Sequence, residues 1–175
     1  MVPLSKDHKV FIGIGLATVL IIAGGIFLVS NQDERLNKPL LGQEVAISGR
    51  NHLPQGTQIT YNSNPPTGGP HYSDPAHAGI YEAAPLDGNL VHSLEHGAVI
   101  LWYNPKLLSK DQIEQVKQVF NQLGGKSIMV PRESMDSPIA LTSWGRILKI
   151  NTIDTKQINA FFDTNNNRGP EQAPI

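Results

Sequence analysis

Cysteine is absent from all 175 residues. That one absence excludes disulfides, thiol nucleophiles, thiolate zinc sites, Cys-x-x-Cys redox chemistry and a lipid-carrying N-terminal cysteine. An excess of one charge is absent too. Fourteen Lys and Arg stand against fifteen Asp and Glu, so no nucleic-acid partner is expected. No Gly-x-Ser-x-Gly elbow occurs, and Gly68-Gly69 and Gly124-Gly125 match no phosphate-binding pattern. Ser93 adjoins His92, but neighbours along a helix do not face each other, so they make no nucleophile–base pair. No internal repeat is visible.

A long apolar run is present. Val10 to Val29 is uncharged and, as a helix, would be about 30 Å long, the thickness of a bilayer's hydrocarbon core. Lys6 and Lys9 precede it, while Asp33 and Glu34 follow. This asymmetry predicts a cytoplasmic N-terminus and an exported remainder. Cleavage as a signal peptide is the rival reading. Cutting at Ala23-Gly24-Gly25 would leave Ile26-Phe27-Leu28-Val29 exposed, and Leu28 suits a cut near Ser30 poorly. An uncleaved anchor is therefore expected in the cell membrane. The chain divides into a cytoplasmic stretch 1–9, a span 10–29, a polar linker 30–42 and an exported domain 43–175.

Within that domain, Ile59-Thr60-Tyr61 is a strand candidate. Asn62 to Tyr72 holds three prolines, two glycines and two asparagines in eleven residues, a composition for a stiff, shaped loop. The uniformly apolar Gly97–Tyr103 predicts a buried strand. Ser109 and Gln112 form a capping box ahead of a stripe at Ile113, Val116, Phe120 and Leu123, with Gly124 beyond it. Ser127–Val130 reads as a strand. Residues 139–142 and 146–150 suit a hairpin around Ser143-Trp144-Gly145. Asp154 and Gln157 cap a last helix through Phe162, and the tail from Asn165 to Ile175 is expected on the surface. These elements predict an α+β fold: a small mixed or antiparallel sheet, two helices and long Pro/Gly-rich loops, after one transmembrane helix.

The chemistry centres on Val91-His92-Ser93-Leu94-Glu95-His96-Gly97. In a helix, His92 and His96 lie one turn apart on one face and can share a metal ion. In a strand they would be about 13 Å apart, which is too far. The metal reading needs a helical turn here. His92 to His96 also matches H-x-x-E-H, where two histidines bind zinc and the glutamate activates water. That motif sits on a long helix, whereas Gly88, Asn89 and Gly97 leave room for two turns at most. His52 and His71 extend the set of imidazoles, and a stiff loop ending in His71 can hold its ring in place. Met135 lies in a polar loop with no obvious core to fill, and its thioether turns the choice towards copper before zinc. Met129 belongs to a strand and reads as packing, His77 as exposed, and Trp144 as core.

Four segments in this order resemble the bacterial domain-of-unknown-function 3105 family. They are Asn64-Pro65-Pro66-Thr67-Gly68-Gly69-Pro70-His71-Tyr72, Val91 to Gly97, Ala140-Leu141-Thr142-Ser143-Trp144-Gly145-Arg146 and Gly169-Pro170-Glu171. The likeness covers about residues 42 to 171. It departs at Gly68, where the family often has serine, and at Ser143, where alanine is common. The resemblance implies one N-terminal span and one exported domain. It also implies that His71, His92, Glu95 and His96 belong to family motifs, and that His52 and Met135 match family positions too.

The expectation is a membrane-anchored extracytoplasmic domain that binds copper or zinc through His71, His92 and His96, with His52 or Met135 completing the set. Glu95 would orient a histidine. Metal handling with a delivery or envelope partner is the expected role. The alternatives are a zinc hydrolase with Glu95 as base, and a metal-free envelope interaction module whose histidines brace the loop.

Overall fold

The computed structural model describes residues 6–175. Residues 1–5 of the expected cytoplasmic stretch lie outside the described residues. The elements are α1 (Lys6–Asn37), β1 (Gln43–Glu44), β2 (His52–Leu53), β3 (His71–Tyr72), β4 (Gly79–Ile80), α2 (Asp87–Glu95), β5 (Val99–Tyr103), α3 (Lys110–Phe120), β6 (Ser127–Pro131), β7 (Ile139–Ser143), β8 (Arg146–Ile150) and α4 (Thr155–Asn165). The chain forms two compact units, one ending at Pro39 and the other covering Leu40–Ile175.

In the first unit, Phe11–Ser30 is long and apolar enough to cross a membrane, with mean hydropathy 2.6. The helix does not stop there. It continues to Asn37, through most of the stretch expected to be a tether. No proline or glycine interrupts residues 26–38, and Pro39 then disfavours helix in the residue before it.

The second unit is built on a six-stranded sheet in the order β1-β8-β7-β5-β6-β4. Strands β4, β6 and β5 run parallel, whereas β5/β7, β7/β8 and β8/β1 are antiparallel. The sheet is mixed and the fold is α+β, as expected. Parallel β5 and β6 need a crossover, and α3 supplies it. Its capping box is present: the Ser109 side chain accepts from the Gln112 N–H, and the Gln112 side chain accepts from the Ser109 N–H. Asp154 likewise accepts from the N–H groups of Lys156 and Gln157 at the start of α4.

Alternation along β5 explains its uniformly apolar sequence. Val99, Leu101 and Tyr103 pack with Val116 and Phe120 of α3 and Ile158, Phe161 and Phe162 of α4. Ile100 and Trp102 pack on the opposite side with Leu90 and Leu94 of α2. Both faces of the strand are covered, so every position must be apolar. The Trp102 indole N–H donates to Thr142 Oγ1 at 2.8 Å, which satisfies a polar atom in that core.

One strand expectation fails. Residues 59–61 form no strand; the short strands of this region are β2 and β3, paired in parallel. The chain ahead of residue 59 is drawn into a local turn, where the Thr57 N–H and hydroxyl both donate to the Pro54 carbonyl. Tyr61 instead uses its hydroxyl to reach the Pro70 carbonyl at 3.0 Å.

Leu101 is 1% exposed at the centre of the sheet. Leu101→Ala should lower unfolding stability by about 3 kcal/mol in denaturant titration. A loss under about 1 kcal/mol would contradict a tightly packed layer.

Candidate metal centre

Three features bring the functional side chains together. The first is the helical turn that the metal reading required: α2 carries His92 and Glu95, and His96 caps its C-terminus. The second is the pairing of β2 with β3, which sets His52 directly opposite His71. The third is the proline-rich loop. Residues Pro65 to Gly69 are buried, the Thr67 carbonyl accepts from the Gly145 N–H at 2.9 Å, and the loop delivers His71 with no exposed surface.

Arg132 ties these features to the sheet. Its guanidinium donates to both carboxylate oxygens of Asp87 in the first turn of α2, at 2.7 and 3.0 Å. Its Nε donates to Asn64 at the start of the loop, at 2.5 Å, and its charge lies 5.2 Å from the Trp102 ring centre. One side chain thus fixes helix, loop and central strand together. Gly88 lets α2 settle on β3, because a Cβ there would lie 2.5 Å from the Tyr72 ring.

The result is a cluster of His52, His71, His92 and Glu95, whose donor atoms all lie within 4.8 Å of one another. The ring centres of His52, His71 and His92 are 4.7 to 4.9 Å apart, and His96 is 4.4 Å from His92. His71, His92, Glu95 and His96 are buried, whereas His52 is exposed. Among the described residues, His52, His71, His92 and Glu95 are the groups of this kind that converge; His96 is outside that set and adjoins it through His92.

Hydrogen bonds to the backbone determine what the rings present. His71 Nδ1 faces the Gly69 carbonyl at 2.9 Å, His92 Nδ1 faces the Tyr72 carbonyl at 2.7 Å, and His96 Nδ1 faces the Pro174 carbonyl at 2.8 Å. A carbonyl can only accept, so each Nδ1 carries a proton. In the neutral rings each Nε2 is then a lone pair. The lone pairs point at other acceptors. His92 Nε2 is 2.9 Å from His96 Nε2. His71 Nε2 is 2.9 Å from Glu95 Oε2, yet this buried nitrogen makes no properly aligned hydrogen bond. Electron-rich atoms held this close require a cation between them, either a proton or a metal.

Electrostatics disfavour supplying that cation by protonation at His92. Burial pushes its pKa down, the hydrogen bond to the Tyr72 carbonyl partly opposes this, and His71, His96 and His52 add to the lowering. The Arg50 guanidinium is 3.7 Å from Glu95 Oε1, and Glu171 Oε1 is 3.8 Å from His96 Nε2. Neither is close enough for a hydrogen bond. Trp144 stands edge-on to His71 with ring centres 6.3 Å apart.

Met135 is only 5% exposed and packs with Leu90, Leu94 and Trp102. The expectation that it has no core to fill is therefore wrong: the loop around it is polar, but its own side chain turns inward. Met129 packs against the α3–α4 side of the sheet, and His77 is exposed. Sequence reasoning missed Arg50 and the C-terminal residues. Glu171-Gln172-Ala173-Pro174 carries no ligand-like pattern beyond one glutamate, and its contribution is largely through main-chain atoms.

The class defined so far is an α+β domain with a buried histidine–carboxylate cluster, in a chain that also carries one membrane-length helix. The sequence profile described as "Protein of unknown function (DUF3105)" matches residues 52–174, and the chain belongs to that family. The match begins at His52 and ends at Pro174, so it takes in the whole cluster and the last carbonyl that holds it. No curated protein and no solved structure matches the chain.

Gly88→Ala should destabilise the protein by about 1–3 kcal/mol, because the added methyl forces α2 away from Tyr72. Thermal unfolding checks this, and an unchanged midpoint would show that α2 does not need so close an approach.

Proposed function

We propose that the cluster is a divalent transition-metal site, held on the extracytoplasmic side of a cell membrane by α1. His52, His71, His92 and Glu95 supply the converging donors, and His96 adjoins them through its Nε2, 2.9 Å from that of His92. The observation that carries this reading is the pair of 2.9 Å contacts between atoms that, with the rings neutral, are both acceptors. A metal-free module, with histidines that merely brace the loop, would need a proton at each contact, and burial together with the neighbouring histidines disfavours one on His92.

With Met135 in the apolar core, the thioether argument for Cu(I) loses its basis. Imidazole and carboxylate donors suit Cu²⁺ and Zn²⁺, and at such sites Cu²⁺ generally binds more tightly. Copper remains the first choice, now as the divalent ion. Holding the ion or passing it to an envelope partner fits the exposure of His52, which gives the ion one side to arrive and leave by. A hydrolase would need Glu95 free to act on water. Its Oε2 instead faces His71 and its Oε1 faces Arg50, which favours a binding role.

The test is metal content and thermal stability of the full chain in detergent. The expected result is stoichiometric Cu²⁺ or Zn²⁺, removed by EDTA with a fall in melting temperature, and lost in a His92→Ala, His96→Ala double variant. Protein that binds neither ion and melts identically with and without EDTA overturns the reading.

Occupancy should also fall as pH drops below about 6.5, because each imidazole must be neutral to coordinate. The metal-free protein should lose stability over the same range. Burial lowers the pKa of His92 on folding, so its contribution is intact above 6.5, the unfolded value, and declines as pH falls towards the lower folded one. Zn²⁺ occupancy and melting temperature against pH check both, and flat profiles would contradict them.

The absence of native cysteine makes the topology directly testable. A Gln118→Cys variant, altered on the exposed face of α3, should react with a membrane-impermeant maleimide in intact cells. Labelling only after lysis would place the domain inside.

A further inference from the structure

The C-terminal segment was expected on the surface, and Pro170, Glu171, Gln172 and Pro174 are exposed. Its main chain nevertheless docks across the C-terminal end of α2. The Asn167 N–H donates to the Gly97 carbonyl at 2.7 Å, and the Glu171 N–H to the Glu95 carbonyl at 3.1 Å. A side chain on Gly169 would run into the Glu95 carbonyl, so the segment lies directly against the backbone of a cluster residue. Ile175 packs against the apolar cluster shared by α2 and the sheet.

Lys126, just before β6, joins this segment to His96. Its ammonium donates to the His96 carbonyl at 2.6 Å and to the Ala173 carbonyl at 2.7 Å. The residue after Ala173 is Pro174, whose carbonyl accepts the Nδ1 proton of the His96 ring. One lysine therefore holds the main chain of His96 and, one residue away, the carbonyl that sets the tautomer of its ring. Proline has no N–H and a fixed φ, which limits the directions in which that carbonyl can point. Lys126 touches none of the donor atoms. Burial lowers its pKa, and its two charge-assisted hydrogen bonds hold the ammonium in place.

We infer that Lys126 and the chain end at Pro174 are positioning elements of the metal site: together they hold His96 as an Nε2 donor and so determine whether His96 joins the ion's ligands. This rests on the metal reading above. It goes further by assigning a binding role to two residues that offer the ion no donor atom. The family profile, which runs through residue 174, agrees with a segment that belongs to the site.

The experiment uses the full chain in detergent and Co²⁺ as the probe, because its visible spectrum reports ligand number and geometry. Lys126→Met should weaken Co²⁺ binding about tenfold, the usual scale for losing a group that orients a ligand. Its spectrum should shift in the same direction as that of His96→Ala. Adding Lys126→Met to His96→Ala should cost nothing more, since the lysine acts through that ring. Lys126→Arg, which keeps a donor in place, should recover most of the affinity. Should Lys126→Met fail to fold, a chain ending at Ala173 removes the Pro174 carbonyl and undergoes the same comparison. Wild-type affinity and spectrum in Lys126→Met, or losses that multiply in the double variant, overturn this inference and leave the metal site standing. A wild-type chain that binds no Co²⁺, Cu²⁺ or Zn²⁺ overturns both.

Discussion

An imidazole has two nitrogens, and a fold that claims one of them decides what the other can do. In this domain three backbone carbonyls, at Gly69, Tyr72 and Pro174, each take the Nδ1 proton of one histidine. The three carbonyls come from three different parts of the chain: the proline-rich loop, the strand that follows it and the C-terminal end. Loop rigidity, the β2–β3 pairing and the docked tail all serve that one arrangement. Without it the rings could turn and exchange hydrogen bonds among themselves, and the short contacts between acceptors would relax.

The sheet matters to the site through what it holds still. Strand β5 is covered on both faces, and α2 lies on one of them. Arg132 extends this support sideways by gripping Asp87 and Asn64 while lying against Trp102. The helix and the loop approach the cluster from different directions, and a shared guanidinium keeps their separation fixed. Such preorganisation matters most where donor atoms repel one another before an ion arrives, because the scaffold must resist their spreading.

Much of this was legible in the chain itself. Helices α3 and α4 begin with side chains that satisfy their own first N–H groups, and the hairpin of β7 and β8 turns on Ser143-Trp144-Gly145, so neighbouring residues suffice to find them. The requirement for a helical turn at His92–His96 followed from spacing alone, and the structure has it. What escaped were features without local signature. Strands β2 and β3 are two residues each, too short for any alternation to show. Met135 sits among polar neighbours, and only the tertiary structure turns it inward. The tail acts mostly through main-chain atoms, which every sequence possesses and none advertises.

Between Glu95, the last residue of α2, and Val99, the first of β5, the chain has only three residues, and Gly97 makes the reversal at φ +89°. The buried half of the cluster is thus stitched almost directly to the innermost strand. Fraying of α2 from its C-terminal end would therefore drag on the middle of the sheet. The opposite wall is built differently, from a two-residue ladder and the solvent-facing ring of His52.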